Sequence, residues 1–144
     1  MISKILVPTD GSELSNKAIR GAAEIAKKLG AKLVGLTVME PYSYTALSEY
    51  RPESFEEYGR RMDAAAKQRL DVLVLTAKEI DVQVETRVAS SFSPYEAIID
   101  AARESKCDAI FMASHGRRGL NAVLLGSETM KVLTHSTVPV MVYR

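Results

Sequence analysis

The alternation of two hydrophobic periods along the chain limits its architecture more than any other feature. Residues 2–8, ISKILVP, are a short aliphatic run closed by proline and read as a strand. In GSELSNKAIRGAAEIAKKLG, Leu14, Ala18, Ala22, Ile25 and Leu29 recur at spacings of three and four, the period of an amphipathic helix. Ser12 is placed to cap it and Gly30 to stop it. AKLVGLTVM is a second strand. Residues 41–52 show no period, and neither Tyr42, Tyr44 nor Tyr50 can be assigned to a site or to a core from the sequence. A long helix follows, with Met62, Ala66, Leu70, Leu73, Ala77 and Ile80 on one face, and with Arg60 and Arg61 read as part of its solvated side.

DVQVETRV alternates at period two, as a strand with one wet face at a sheet edge does. SPYEAIIDAARES carries a start signal in Ser93, Pro94 and Glu96, which together suggest a capping box. CDAIFMA is apolar enough to be buried on both faces. SETMKVLTHS and VPVMVYR supply a last helix and a last strand. Strands that alternate with helices imply a parallel sheet covered on both sides. The expected fold is α/β: a three-layer sandwich with a five-stranded, doubly wound parallel sheet, residues 1–144 forming one domain.

Composition narrows the function classes. The net charge of +1 gives no global attraction to nucleic acid or to an anionic membrane, so neither is expected as a partner. No apolar run approaches the roughly 20 residues of a membrane span, and the opening residues are interrupted too early by Pro8, Asp10 and Gly11 to form a secretory signal. The single cysteine, Cys107, is expected to be a small buried residue and excludes an internal disulfide. A cytoplasmic protein is the expectation.

In open α/β sheets, ligands bind beyond the carboxyl ends of the strands where strand order reverses, and helix starts there favour anions. Two loops leave strand ends with unusual composition: PTDGS after the first strand and ASHGRRG, opening the glycine-rich stretch 113–128, after the fourth. If those strands are neighbours, Pro8, Thr9 and Asp10 form one wall of a crevice and residues 113–128 the other. Gly116, Gly119 and Gly126 offer positive φ and close backbone approach. Ser114 and Ser127 offer hydroxyls, Ser127 at a helix start, and Arg117 and Arg118 offer positive charge. Composition alone does not separate a phosphate cradle from a solvated turn. The P-loop spacing GxxxxGK[ST] is absent, and no GxGxxG follows the first strand. Asp10 can bind a ligand or cap the first helix; His115 reads as a loop histidine and His135 as a partner of its helix C-terminus.

KILVPTDGSELSNKAI at the start and DAIFMASHGRRGLNAVLLGSETMKVLTHSTVPVMVYR at the end resemble the universal stress protein family, a likeness that spans the chain. Members that bind ATP carry glycine, two residues, glycine, nine residues, glycine, then serine or threonine. Here Gly116, nine residues, Gly126 and Ser127 match, while Ala113 replaces the first glycine. The resemblance implies the fold of the adenine nucleotide alpha hydrolases and an adenine nucleotide ligand, ATP or else ADP or AMP, accompanied by Mg2+ or Mn2+. It implies Pro8, Thr9 and Asp10 beside the nucleoside, and Val38 against adenine. Met112 and Ala113 lie beneath ribose and the first phosphate, and Gly116, Arg117, Gly126, Ser127 and Glu128 surround the triphosphate. It also implies a homodimer through the last strand, Val138–Tyr143. The expected role is a dimeric, ATP-binding stress-response regulator with slow or no hydrolysis. The alternatives are a weak ATPase or nucleotidyl transferase, and a dimeric interaction module that binds no nucleotide.

Overall fold

A computed structural model describes residues 1–43, 53–117 and 124–144; Tyr44, Tyr50, Arg118 and Gly119 lie outside them. The described elements are β1 (Lys4–Pro8), α1 (Glu13–Leu29), β2 (Lys32–Met39), α2 (Phe55–Ile80), β3 (Val84–Ser90), α3 (Pro94–Glu104), β4 (Ala109–Ala113), α4 (Ser127–His135) and β5 (Val140–Tyr143). The five strands form one sheet in the order β3-β2-β1-β4-β5, and every pairing is parallel. The expected α/β sandwich is the fold found.

Each face of the sheet is covered by a helix pair. Ile5, Val7, Leu33 and Phe111 point toward α1 and α2, where Ala18, Ile19, Ala22, Ala23, Ala26, Leu73 and Ala77 close over them. Leu6, Val34, Leu36, Ile110 and Met112 point toward α3 and α4, meeting Ile98, Ala101, Ala102 and Val132. Alternation along β1, β2 and β4 feeds both layers, which is why these central strands read as continuous apolar runs. β3 and β5 are the edges. The wetter pattern of β3 correctly marks one of them.

Helix ends follow local chemistry in most cases. Ser12 caps α1 by accepting the Ser15 amide at 3.2 Å, and Gly30 ends it in the left-handed region at φ 67. The inward stripe of α1 is rotated slightly from the expected one: Ser15, Ala18, Ile19, Ala22, Ala23 and Ala26 are buried, and Leu29 is 49% exposed. The capping box expected at α3 does not form, because Ser93 makes no side-chain cap bond. The α3 start is served instead by Glu128 of α4, whose Oε2 accepts the Tyr95 amide at 2.9 Å. A capping box does occur at α2, where Ser54 and Glu57 satisfy each other's amides. Tyr42 packs edge-on against Phe55 and Tyr58 at the α2 start. Arg61 pairs with both carboxylate oxygens of Glu53 at 2.9 Å, so its charge is more organised than a solvated face implies.

α2 rests on β2 at one small residue. A Cβ on Gly35 would lie 2.8 and 2.9 Å from the two methyl carbons of Leu73, a fully buried side chain. Gly35→Ala is therefore expected to cost about 1–2 kcal/mol by overpacking, and Leu73→Ala about 2–5 kcal/mol by cavity formation. In the double variant the new methyl occupies part of the new cavity, so urea denaturation should give a loss smaller than the sum by about 1 kcal/mol. Strict additivity would show that the helix does not seat on Gly35.

Candidate functional site

β1 and β4 are direct neighbours, and the strand order reverses between them. The loops after these two strands therefore meet, as the crevice argument requires. Their junction is held by Asp10. Its Oδ1 accepts the Ser12 amide at 3.0 Å, and its Oδ2 accepts the Arg117 amide at 2.8 Å across the crevice. Arg117 Nε returns a bond to the Asp10 carbonyl at 2.7 Å. Asp10 thus does not cap α1; Ser12 does. The carboxylate forms a turn with its own loop and clasps the opposite one.

The electrostatics of Asp10 are a contest. Burial pushes its carboxyl up, but the Ser12 hydroxyl and amide, the Arg117 amide and the Arg117 guanidinium together outweigh burial and hold it below its ordinary value. An acid depressed on folding contributes stability that is present above the unfolded carboxyl value of about 3.9. That contribution is lost as pH falls through the lower folded value.

Thr9 is 5% exposed and faces inward. Its hydroxyl oxygen accepts the Gly11 amide at 3.2 Å and the Ser15 hydroxyl at 2.9 Å, fixing the first turn of α1. Thr37 Oγ1 donates to the Thr9 carbonyl at 2.9 Å, and the Thr9 amide donates to the Leu36 carbonyl at 2.8 Å, so β2 braces the loop. Pro8 ends β1 half-buried. Val38 is one residue from the end of β2 and packs against the α3/α4 layer. Met112 belongs to that core layer, 6% exposed.

On the other wall, the ends of the glycine-rich stretch are pinned together. Gly126 N donates to Ser114 O at 2.7 Å, and Thr129 Oγ1 donates to Ala113 O at 3.0 Å, setting the start of α4 beside the end of β4. Gly116 and Gly126 are required for space, contrary to the expectation of positive φ at these two positions. Among the described glycines only Gly11 and Gly30 have positive φ. A Cβ on Gly116 would fall 2.2 Å from Asp10 Oδ2, and one on Gly126 would fall 3.1 Å from His115 Cα. Gly126 is the N-cap of α4 with φ −62, and Ser127 is the first helical residue. Glu128 Oε2 accepts the Tyr95 amide, and its Oε1 lies 3.5 Å from Lys131 Nζ.

His115 Nδ1 lies 3.2 Å from Ser114 Oγ, and the His135 ring sits at the α4 end 5.2 Å from that of Tyr95. Cys107 is buried, and burial pushes its thiol up to about 11, so it is inert at neutral pH. Among the described residues no three His, Cys, Asp or Glu side chains group as a metal site, and no helix is long and apolar enough to cross a membrane.

One residue of the site is not apparent from the sequence pattern. Arg69 of α2 reaches the carboxyl end of β2, where its Nη1 donates to Thr37 Oγ1 at 3.3 Å and contacts Met39 Sδ at 3.4 Å. A signal does exist: Arg69 stands three residues after Ala66 and four before Leu73, on the inward stripe of its helix, where a cation is out of place.

The universal stress protein family model matches residues 1–144. The chain belongs to the universal stress protein family. It is similar to YxiE of Bacillus subtilis, 34% identical over 149 aligned positions that cover 100% of both chains. Among solved structures it is similar to MJ0577 of Methanocaldococcus jannaschii, with a TM-score of 0.82, 26% identity, and coverage of 99% of this chain and 96% of that one. A universal stress protein solved in complex with cAMP aligns with a TM-score of 0.70 at 24% identity, covering 99% of this chain and 97% of that one. One from Archaeoglobus fulgidus in complex with dAMP aligns at 0.72 and 19%, covering 100% and 98%.

The Asp10 clasp yields a pH test. Asp10→Asn keeps an acceptor and loses the charge, so at pH 7 it should cost about 1 kcal/mol in urea denaturation. The gap between wild type and variant should close as pH falls below about 4. A gap constant from pH 7 to pH 3 would show that the Asp10 charge does not hold the two loops.

Proposed function

We propose that this protein is a nucleotide-binding regulator that holds an adenine nucleotide, preferentially ATP, in the crevice between the β1 and β4 loops. The observation that carries this reading is the junction itself. A glycine-spaced loop is pinned shut at Gly126 and Ser114 and delivers the start of α4 to the reversal point of a parallel sheet. Helix-start amides at such a point favour phosphate. The cAMP and dAMP complexes of two other universal stress proteins add support for the adenine class.

In this reading the nucleoside lies against Pro8, the Thr9 and Asp10 backbone and Val38. Ribose and the first phosphate pass over Met112 and Ala113. The outer phosphates meet the backbone of Gly116 and Ser127 with Arg117 alongside, and pass close over Gly126, whose own amide is held by the Ser114 carbonyl. Because Thr9 and Met112 are both nearly buried, their contribution falls to main-chain atoms. Glu128 acts at a distance from the phosphates, since by holding the Tyr95 amide it fixes the direction in which α4 starts. Among the described residues no three His, Cys, Asp or Glu side chains gather as a metal site, so the crevice does not fit a metal held by a protein ligand set of its own. Mg2+ or Mn2+ would travel on the phosphates.

The hydrogen bonds of the site favour retention over turnover. Hydrolysis requires a group that orients water at the phosphorus. Asp10 and Glu128 are held in fixed orientations by backbone amides, and His115 Nδ1 lies beside the Ser114 hydroxyl, so none of the three is free to swing toward an attacking water. Purified protein, denatured with no nucleotide added, should release adenine nucleotide near one equivalent on ion-exchange chromatography with mass detection. Gly126→Val should lose it while keeping its circular dichroism, since the larger side chain meets His115 Cα. Protein that is isolated empty and takes up no ATP with magnesium in calorimetry would end the proposal.

The unit is one domain of residues 1–144, paired as a homodimer through Val138–Tyr143. Ile110 and Ser114 donate to the carbonyls of Pro139 and Tyr143. By the alternation of a ladder, the amides of Val140 and Val142 then face outward from the sheet edge. Val140 also packs against the α3/α4 core, so a charge there would test folding as well as pairing. Val142→Pro removes an outward amide alone and should give a folded monomer in sedimentation. A wild-type chain already monomeric at micromolar concentration would refute the dimer.

A further inference from the structure

Arg69 is a half-buried cation on the inward stripe of α2. Among the described residues it makes no ion pair. Its Nε is buried without a hydrogen-bond partner. Among the described residues the acceptors of its Nη1 are the Thr37 hydroxyl and the Met39 thioether, the latter a weak one. A guanidinium carries five donors, and taking one from water without a counter-charge is costly. Burial lowers the Arg69 pKa first, and the like charge of Arg117 lowers it further, with Asp10 only partly opposing. Asp10 acts on Arg69 through space without an ion pair, its two oxygens being directed to the Ser12 and Arg117 amides.

Two guanidinium side chains therefore converge beside one loop. A Cβ on Gly11 would lie 2.9 Å from Arg69 Cγ and 3.0 Å from Arg117 Nη2. Gly11 has φ +77 and no side chain to intervene, so both arginines approach its backbone beside Asp10. They arrive from different elements: Arg69 from α2 and Arg117 from the loop after β4.

We propose that Arg69, together with Arg117, receives the phosphate of the bound nucleotide and makes binding depend on that phosphate rather than on the nucleoside alone. The inference rests on the adenine-nucleotide reading above and adds to it a specificity-determining residue on α2. An anion placed between the two guanidinium groups would give Arg69 a directly bonded counter-charge, with bonds stronger than neutral ones.

Calorimetry on the full chain, stripped of endogenous nucleotide, tests this with ATP, AMP and adenosine as probes. Arg69→Met should weaken ATP by about tenfold to a hundredfold. The loss should shrink through AMP and leave adenosine within about twofold. Arg69→Lys should recover part of the ATP affinity, since it keeps the charge and loses the planar fork. Arg69→Met without nucleotide should melt at or above the wild-type temperature, because removing an unpaired desolvated charge relieves a cost. Unchanged ATP affinity, or an equal loss for ATP and adenosine, would overturn the assignment while leaving nucleotide binding intact. A wild-type chain that binds none of the three probes would overturn the nucleotide reading itself, so the two failures are told apart.

Discussion

The carboxylate of Asp10 is the contact on which the carboxyl end of the sheet depends. It joins two loops that are 107 residues apart in sequence and have no secondary structure in common. A single change of geometry there propagates. Gly116 must be glycine because the Asp10 oxygen occupies the position of a Cβ. Arg117 follows Gly116, so its amide lands on the same carboxylate, and its Nε turns back to the Asp10 carbonyl. That second bond carries the Arg117 guanidinium over Gly11 and toward Arg69. The glycine at 116, the clasp and the course of the Arg117 side chain are therefore linked consequences of one carboxylate at the β1 exit.

The layers beneath explain why this end is rigid enough to matter. α1 lies close to the sheet because its inward stripe is largely alanine, and α2 seats on Gly35 through Leu73. Both helices thereby bring their side chains within reach of the β1 loop: Ser15 of α1 holds the Thr9 hydroxyl, and Arg69 of α2 reaches Thr37. The Thr37 hydroxyl donates to Thr9 and receives from Arg69. A central strand, a loop and a distant helix meet at one oxygen atom. Burial of such a network is tolerated only when most of its members are satisfied, and the Arg69 Nε is the member left over.

Much of this is legible in the sequence, and the exceptions share a cause. Strand and helix periods give the layers, the buried β4 and the edge strand β3, because each follows from residues near one another in the chain. The pairing of the Pro8–Asp10 and Ala113–Glu128 loops follows from the topology rule. Failures come where two elements compete for one group. Ser93, Pro94 and Glu96 satisfy the local grammar of a helix start, yet Glu128 takes the Tyr95 amide, and no spacing within α3 could announce that. Asp10 is ambiguous between cap and ligand because its actual partner, the Arg117 amide, is visible only in three dimensions. Arg69 is easily passed over since a helical stripe is read for what is apolar, and the informative residue is the one that breaks the stripe.

The replacement of a motif glycine by Ala113 can be judged on the same physical terms. Glycine is needed where φ is positive or where a Cβ has no room, and these are separate demands. Gly116 and Gly126 answer the second, to Asp10 and His115 respectively. Ala113 ends β4 in ordinary strand geometry, buried at 9%, with its methyl accepted into the α1/α2 core layer and its carbonyl bonded by Thr129. Its side chain therefore belongs to the core, and what it offers the crevice is main chain. Alanine at this position leaves the backbone path from β4 to α4 unstrained. The two glycines that meet the steric demands of the crevice are both retained, so the departure from the motif falls where it costs the site least.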